Sequence, residues 1–317
     1  MRVLITGISG FAGGYLAELA LEQGAELHGT VLTRVTVPAL TPFLAKVTLH
    51  RVDLTDLEAT RGLLAEIRPD WVFHLAGWSV VGEVWEHRAE PLRINVQTAF
   101  SLLEGLRILK LRARLLLVSS GAVYGIVPET RQPISEESPL RPLTPYALSK
   151  ACLELYALQY VHGEGLDVIT VRSFNHMGPR QGPGFVCADL AREIVLVESG
   201  RTDALQVGNL EARRDFTDVR DMVRAYWLAL EHGEQGEVYN IASGKAVSVR
   251  ELVDRLCALA RRPIRVLPDI SRWRQNDVPI LVGDPTKFRA LTGWIPEIPL
   301  ERTLADVLDD WRQRDSL

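Results

Sequence analysis

The chain has 317 residues, 47% of them hydrophobic and 24% charged, which is material for one large or two small domains with a substantial core. A formal net charge of −4 and a pI near 6.0, with no basic tract interleaved with aromatics, exclude a polyanion-binding surface, so no nucleic acid partner is expected. No run approaches ~20 consecutive apolar residues and the N-terminus enters a strand at once, so neither membrane insertion nor secretion is expected.

The first element is Val3-Leu4-Ile5-Thr6, a short apolar strand running into Gly7-Ile8-Ser9-Gly10-Phe11-Ala12-Gly13 and then a helix-periodic stretch through Leu21. Strand, Gly-rich turn and helix together direct backbone N–H groups and the positive end of a helix dipole at a pyrophosphate. Gly7, Ser9, Gly10, Phe11 and Gly13 are therefore candidate dinucleotide ligands, in G-x-x-G-x-x-G spacing. After the second strand, Leu27–Leu32, an NAD-selective site carries an acid for the ribose 2′-OH, whereas a nearby Arg accepts a 2′-phosphate. Gly29-Thr30-Val31-Leu32-Thr33-Arg34 holds no acid and one Arg, which favours NADP(H) with Arg34 as its ligand and leaves NAD(H) as the alternative.

Strand-like runs continue at Val47–Val52, Trp71–Leu75, Leu115–Ser119 and Val168–Arg172, separated by amphipathic stretches at Asp56–Ile67, Pro91–Leu109 and Tyr146–His162. This alternation predicts an α/β fold, a doubly wound parallel sheet. Ligands bind such a sheet at the carboxyl ends of its strands, where Gly7, Asp53, His74-Leu75-Ala76-Gly77 and Ser119-Ser120 all fall. His74, ending a buried strand, reads as a packed and hydrogen-bonded histidine. Tyr146 and Lys150, four apart, share one helix face. An ammonium near the phenol would favour the phenolate and let Tyr146 exchange a proton with a substrate oxygen.

Beyond Arg172 the texture changes. Ser173–Gly184 is rich in Gly, Pro and Asn, and later helices are interrupted by Pro263, Pro268, Pro279, Pro285, Pro296 and Pro299. We expect a smaller, loop-rich α/β C-terminal lobe for substrate, with residues 1–173 and 208–242 in the cofactor lobe and 174–207 and 243–317 in the substrate lobe. Phe216–Glu231 reads as a helix led by Asp215, and Leu300–Trp311 as a C-terminal amphipathic helix. Cys152, Cys187 and Cys257 are scattered and odd in number, and neither they nor the seven histidines show metal-ligand spacing; a reducing cytoplasm and no metal are expected.

Gly7-x-x-Gly10-x-x-Gly13, Asp53-Leu54, His74-Leu75-Ala76, Ser119-Ser120-Gly121-Ala122-Val123-Tyr124-Gly125, Tyr146-x-x-x-Lys150 and Arg172-Ser173-Phe174-Asn175 form an ordered set over nearly the whole chain. The set resembles the extended short-chain dehydrogenase/reductases that act on nucleotide sugars, the NAD-dependent epimerase/dehydratase family with a Rossmann sheet. The resemblance implies a catalytic Ser120, Tyr146 and Lys150. It also implies Asp53 and Leu54 at the adenine, Leu75 and Ala76 along the cofactor, and a homodimer formed through the helix beginning at Asn95 and the helix Leu148–His162.

Two segments, Phe174–Gln181 and Val207–Phe216, resemble the GDP-sugar branch, in which GDP-mannose 4,6-dehydratases and the reductases of their 4-keto product fall. A sugar nucleotide brings a diphosphate, which guanidinium forks clamp bidentately. Arg180, Arg213 and Arg274 are the candidate clamps. The resemblance sets Asn175 at the phosphates, Phe185 and Val186 beside the base and Asp277 near the ribose or base. Asn209 belongs to the second segment, and Ser79, Glu83 and His176 are candidate sugar contacts.

One position separates dehydration from reduction. A 4,6-dehydratase needs a carboxyl group facing C5 and C6. In the dehydratases that Glu stands two before the Tyr of S-[ST]-x-[ED]-x-Y-G, which here is Ala122. Glu83 remains as a carboxylate with reach. The expectation is NAD(P)H-dependent reduction of a GDP-4-keto-6-deoxyhexose, with a 4-epimerase, a GDP-mannose 4,6-dehydratase and an NAD(P)-sensing regulator as alternatives.

Overall fold

The computed structural model describes residues 1–32, 44–79, 85–273 and 277–315; Arg34, Glu83 and Arg274 lie outside them. The strands, in chain order, are β1 (Arg2–Thr6), β2 (Glu26–Val31), β3 (Val47–Arg51), β4 (Trp71–His74), β5 (Arg114–Ser120), β6 (Val168–Ser173) and β7 (Asn175–Met177). They continue with β8 (Leu205–Val207), β9 (Arg213–Asp218), β10 (Val238–Ile241), β11 (Ala246–Ser248), β12 (Val266–Pro268) and β13 (Ile280–Leu281). The main sheet runs β3-β2-β1-β4-β5-β6-β10 with every pairing parallel, so the strand order reverses between β1 and β4, where an open α/β sheet binds its ligands.

Period-two alternation in β1 divides the core between the two faces of this sheet. Val3 and Ile5 pack with the helices Phe11–Glu22 and Val219–His232, while Leu4 packs with Leu57–Ile67 and Gln97–Ile108. Asp56 caps the second of these layers, its carboxylate accepting from the N–H groups of Glu58 and Ala59 at 2.9 and 3.1 Å, a contact that contributes about 1 kcal/mol.

The second lobe is built on β9, which pairs with β7 and β13 in parallel and with β11 antiparallel, and on the parallel pair β8–β12. Its core gathers the helices Val186–Glu198, Val249–Ala258 and Leu300–Asp315. β9 thus belongs to the smaller sheet although it lies inside the 208–242 stretch. The following helix starts at Val219 and is capped by Asp218, whose carboxylate accepts from Arg220 N at 2.8 Å, not by Asp215. Asp215 is a buried strand residue instead, accepting from the Ser243 and Gly244 N–H groups at 2.8 and 2.9 Å and from the Ser243 hydroxyl at 2.7 Å. No helix among the described residues is long and apolar enough to cross a membrane.

Candidate active site

A cavity of about 980 Å³ opens along the carboxyl ends of the main strands and against the second lobe. At one end Gly7, Ser9, Gly10, Phe11 and Gly13 form its wall. Gly7 has φ +67°, and a Cβ there would lie 2.8 Å from the Ala76 Cα; a Cβ on Gly13 would lie 2.4 Å from the Gly7 carbonyl oxygen. The turn therefore exists only as glycine. Gly10, the N-cap of Phe11–Glu22, offers no side-chain cap, so the first N–H groups of that helix face the cavity without a competing side chain. A cradle closed to Cβ atoms and lined with backbone donors fits a dinucleotide pyrophosphate.

Beyond the cradle, Asp53, Leu54, Leu75 and Ala76 line the same end, joined by Arg93. Asp53 is held below the usual carboxylate range by the Thr55 hydroxyl, at 2.7 Å, and the Thr55 N–H, at 2.9 Å. His74 lies behind the wall. Its ring nitrogens bond Thr6 Oγ1 at 2.8 Å and Thr98 Oγ1 at 3.3 Å, and burial, helped by the Lys150 charge, pushes it down to about 3, a neutral packed residue as its strand-end position predicts.

At the centre Ser120, Tyr146 and Lys150 meet in the wall. Ser120 ends β5, and Tyr146 opens the helix Pro145–Glu164, which Thr144 caps through the Ala147 N–H at 3.1 Å. The Lys150 ammonium donates to the Val118 carbonyl at 2.8 Å and sits 5.9 Å from the centre of the Tyr146 ring. The expected phenolate is not what this arrangement favours. Burial pushes the Tyr146 phenol up, with a hydrogen bond from Ser120 opposing, so the phenol holds its proton at neutral pH. Burial also pushes Lys150 down to about 8, against the pull of Glu154.

The other end belongs to the second lobe. Asn175, Phe185, Val186 and Asp277 line it, while Ser79 joins the wall from the loop after β4 and the His176 ring stacks on Phe11 of the cradle, 6.0 Å between ring centres. Arg213 and Arg214 point to opposite faces of β9, as consecutive strand residues must. Arg214, together with Phe216 two residues on, faces the cavity, and its guanidinium reaches Asp277 at 2.7 Å. Arg213 turns outward to Glu129 at 2.7 Å. Asn209 stands behind the wall, donating to Asp277 at 2.9 Å. Arg180, in left-handed backbone at φ +68°, leaves the cavity altogether, stacking over Tyr15 at 3.6 Å and pairing with Glu18 at 2.6 Å. Arg93, Arg214 and the exposed Trp273 are lining residues that motif reading did not select; the apolar Phe216 at i+2 was the available signal for Arg214. Among the described lining residues the carboxylates are Asp53 and Asp277, and beside Ser120 stands Ala122. No group of described residues is arranged to hold a metal ion.

Comparison with known proteins shows the family and the fold. A family model described as GDP-mannose 4,6 dehydratase matches residues 4–307. GDP-6-deoxy-D-mannose reductase from Pseudomonas aeruginosa is 37% identical over 315 residues, 99% of this chain and 98% of that protein. GDP-mannose 4,6-dehydratase from Yersinia enterocolitica is 30% identical, over 97% of this chain and 92% of that one. Among solved structures, RMD from Pseudomonas aeruginosa complexed with NADPH matches with a TM-score of 0.85 at 35% identity over 99% of each chain. UDP-glucose 4-epimerase from Thermus thermophilus in complex with NAD matches with a TM-score of 0.88 at 30% identity, over 98% of this chain and 99% of that one. With motif order, sheet topology and full-length similarity in agreement, the chain belongs to the GDP-mannose 4,6-dehydratase family of extended short-chain dehydrogenase/reductases.

Proposed function

We propose that the protein is an NAD(P)H-dependent reductase acting on the 4-keto group of a GDP-4-keto-6-deoxyhexose, converting GDP-4-dehydro-6-deoxy-D-mannose to GDP-D-rhamnose. One observation carries the choice of reduction over dehydration: Ala122 stands beside Ser120 where a dehydratase carries its carboxylate, and the described carboxylates of the wall are Asp53, tied to Thr55, and Asp277, paired with Arg214. Full-length similarity to a GDP-6-deoxy-D-mannose reductase supports the same choice.

The nicotinamide cofactor, when bound, supplies the hydride. Tyr146, kept protonated by burial, gives its proton to the C4 oxygen as that oxygen gains charge. Ser120 donates a hydrogen bond to the same oxygen, and the Lys150 ammonium offsets the negative charge left on Tyr146. Gly7, Ser9, Gly10, Phe11 and Gly13 hold the pyrophosphate; Asp53, Leu54, Leu75 and Ala76 hold the adenosine side. NADP(H) is the favoured form, supported by the absence of an acid in Thr30-Val31-Leu32 and by the NADPH complex of a relative. At the other end Arg214 takes the diphosphate role expected of Arg213, with Asn175, Phe185, Val186 and Asp277 around the nucleotide and Ser79 at the sugar. The working unit is a homodimer: Leu148, Leu155, Tyr156 and Leu158 leave an apolar strip exposed on Pro145–Glu164, and Phe100 of the neighbouring helix packs edge-on to Tyr156.

A nucleotide-sugar 4-epimerase is the second reading, favoured by the match to the Thermus thermophilus epimerase and needing the same three central residues. Supplying GDP-mannose, its 4-keto-6-deoxy derivative and UDP-glucose separately, each with NADPH and with NADH, tests the assignment. Cofactor oxidation is expected with the 4-keto-6-deoxy sugar alone, falling about 10²–10⁴-fold in Tyr146→Phe. A keto sugar formed from GDP-mannose, or turnover that survives in Tyr146→Phe, would overturn it.

A further inference from the structure

Lys150 and Glu154 are one helical turn apart on Pro145–Glu164, and both dock on β5 just before Ser120. Lys150 donates to the carbonyl of Val118, and Glu154 accepts from the hydroxyl of Ser119. Glu154 is 7% exposed and Arg172 of β6 is 6% exposed, and the two are joined by three contacts, 2.8 Å from Nη2 and 3.2 Å from Nε to each carboxylate oxygen. Arg172 Nη1 donates onward to the Tyr124 hydroxyl at 2.8 Å and the Glu136 carbonyl at 3.1 Å, and the Tyr124 hydroxyl donates to Asn240 at 2.8 Å. The guanidinium is therefore fixed from several sides.

A buried ion pair is a poor way to gain stability, because apolar residues of the same volume do as well or better. The Glu154 carboxylate of this pair also pulls on the Lys150 ammonium. The titratable and charged groups facing Lys150 are Tyr146 and Glu154 on its own helix, His74 on β4, Arg172 on β6 behind Glu154, and Tyr226 on Val219–His232, which faces Tyr146. His74 is neutral, so Glu154 is the carboxylate among them that acts on the ammonium.

We propose that Glu154, fixed by Arg172, is a positioning residue that keeps Lys150 an ammonium and seats the end of β5 that carries Ser120. Without Glu154 the dry surroundings of Lys150 favour the neutral amine, and the charge facing Tyr146 is lost at a lower pH. This rests on the reductase reading for its kinetic consequence and not for its electrostatic one.

The test compares wild type, Glu154→Gln and Glu154→Asp in two ways. The first is acylation of Lys150 in ligand-free protein against pH, read by peptide mass spectrometry, since only the neutral amine reacts. The second is the alkaline limb of kcat/KM for the 4-keto sugar. In wild type both midpoints are expected near the Lys150 value of about 8. Glu154→Gln moves both down by about one unit, a loss of about tenfold in kcat/KM above the limb, while Glu154→Asp, which retains the charge, stays within about threefold of wild type. Glu154→Gln/Arg172→Gln, which leaves no buried charge unpaired, takes the place of a single variant that does not fold, and its midpoint falls as well. Identical labelling midpoints in all variants, whatever their melting temperatures, would overturn the inference. Wild-type protein that labels as expected but turns over no keto sugar would instead overturn the proposed function.

Discussion

The end of the cavity proposed for the dinucleotide is shaped by backbone, and the end proposed for the nucleotide sugar by side chains on short strands and loops. At the first, two glycines of a single turn, Gly7 and Gly13, leave no room for a Cβ, and the helix that follows presents its N–H groups whatever its side chains are. At the second, Arg214, Asp277, Asn209 and Asn175 come from three separate segments, brought together by the pairing of β9 with β7 and by the approach of the loop before β13. The first end is local and tolerates little change; the second is long-range and can be retuned residue by residue.

Three substitutions break that comparison in descending order of effect. Gly13→Ala puts a Cβ 2.4 Å from a carbonyl oxygen that has nowhere to retreat, so overpacking costs about 1–3 kcal/mol of stability and NADPH affinity, followed by fluorescence titration, falls at least tenfold. GDP-sugar affinity is expected to survive; its loss in parallel would show that the two ends are not separately built. Arg214→Ala removes a charged hydrogen-bonding group from the cavity wall and is expected to raise KM for the nucleotide sugar by about 10-fold to 100-fold with NADPH binding unchanged. Arg213→Ala loses only an exposed pair with Glu129, and KM should stay within about twofold. A reversed order of the two arginines would contradict the assigned face of β9.

The same contrast explains what the sequence revealed. Gly7–Gly13, the strand alternation and the Tyr146–Lys150 spacing are local patterns with local physical causes, and the parallel sheet follows from them. Asp215 and Asp218 both resemble helix caps. Asp215-Phe216-Thr217 extends β9 because Asp215 finds a ladder partner in β11 and Phe216 and Thr217 find theirs in β7, so the cap moves three residues on. Arg180 looks like a phosphate ligand in a Gly-Pro-Arg-Gln turn, yet Tyr15 and Glu18, more than 160 positions earlier, claim it. Lys150 was expected at the phenol; the Val118 carbonyl, on a strand whose register no local pattern specifies, takes its ammonium instead. Arg34, Glu83 and Arg274 fall outside the described residues.

At the centre of the proposed function, hydride passes from an added nicotinamide to C4 of the sugar, with no carboxylate at position 122 to open a dehydration route. Incubation with [4-²H]NADPH carrying the label on the transferred face, followed by NMR of the sugar, tests it most directly. The account predicts one deuterium at C4 of the 6-deoxy product for each NADPH oxidised; label at C6, or product inverted at C4 with no label and no NADPH consumed, would contradict it.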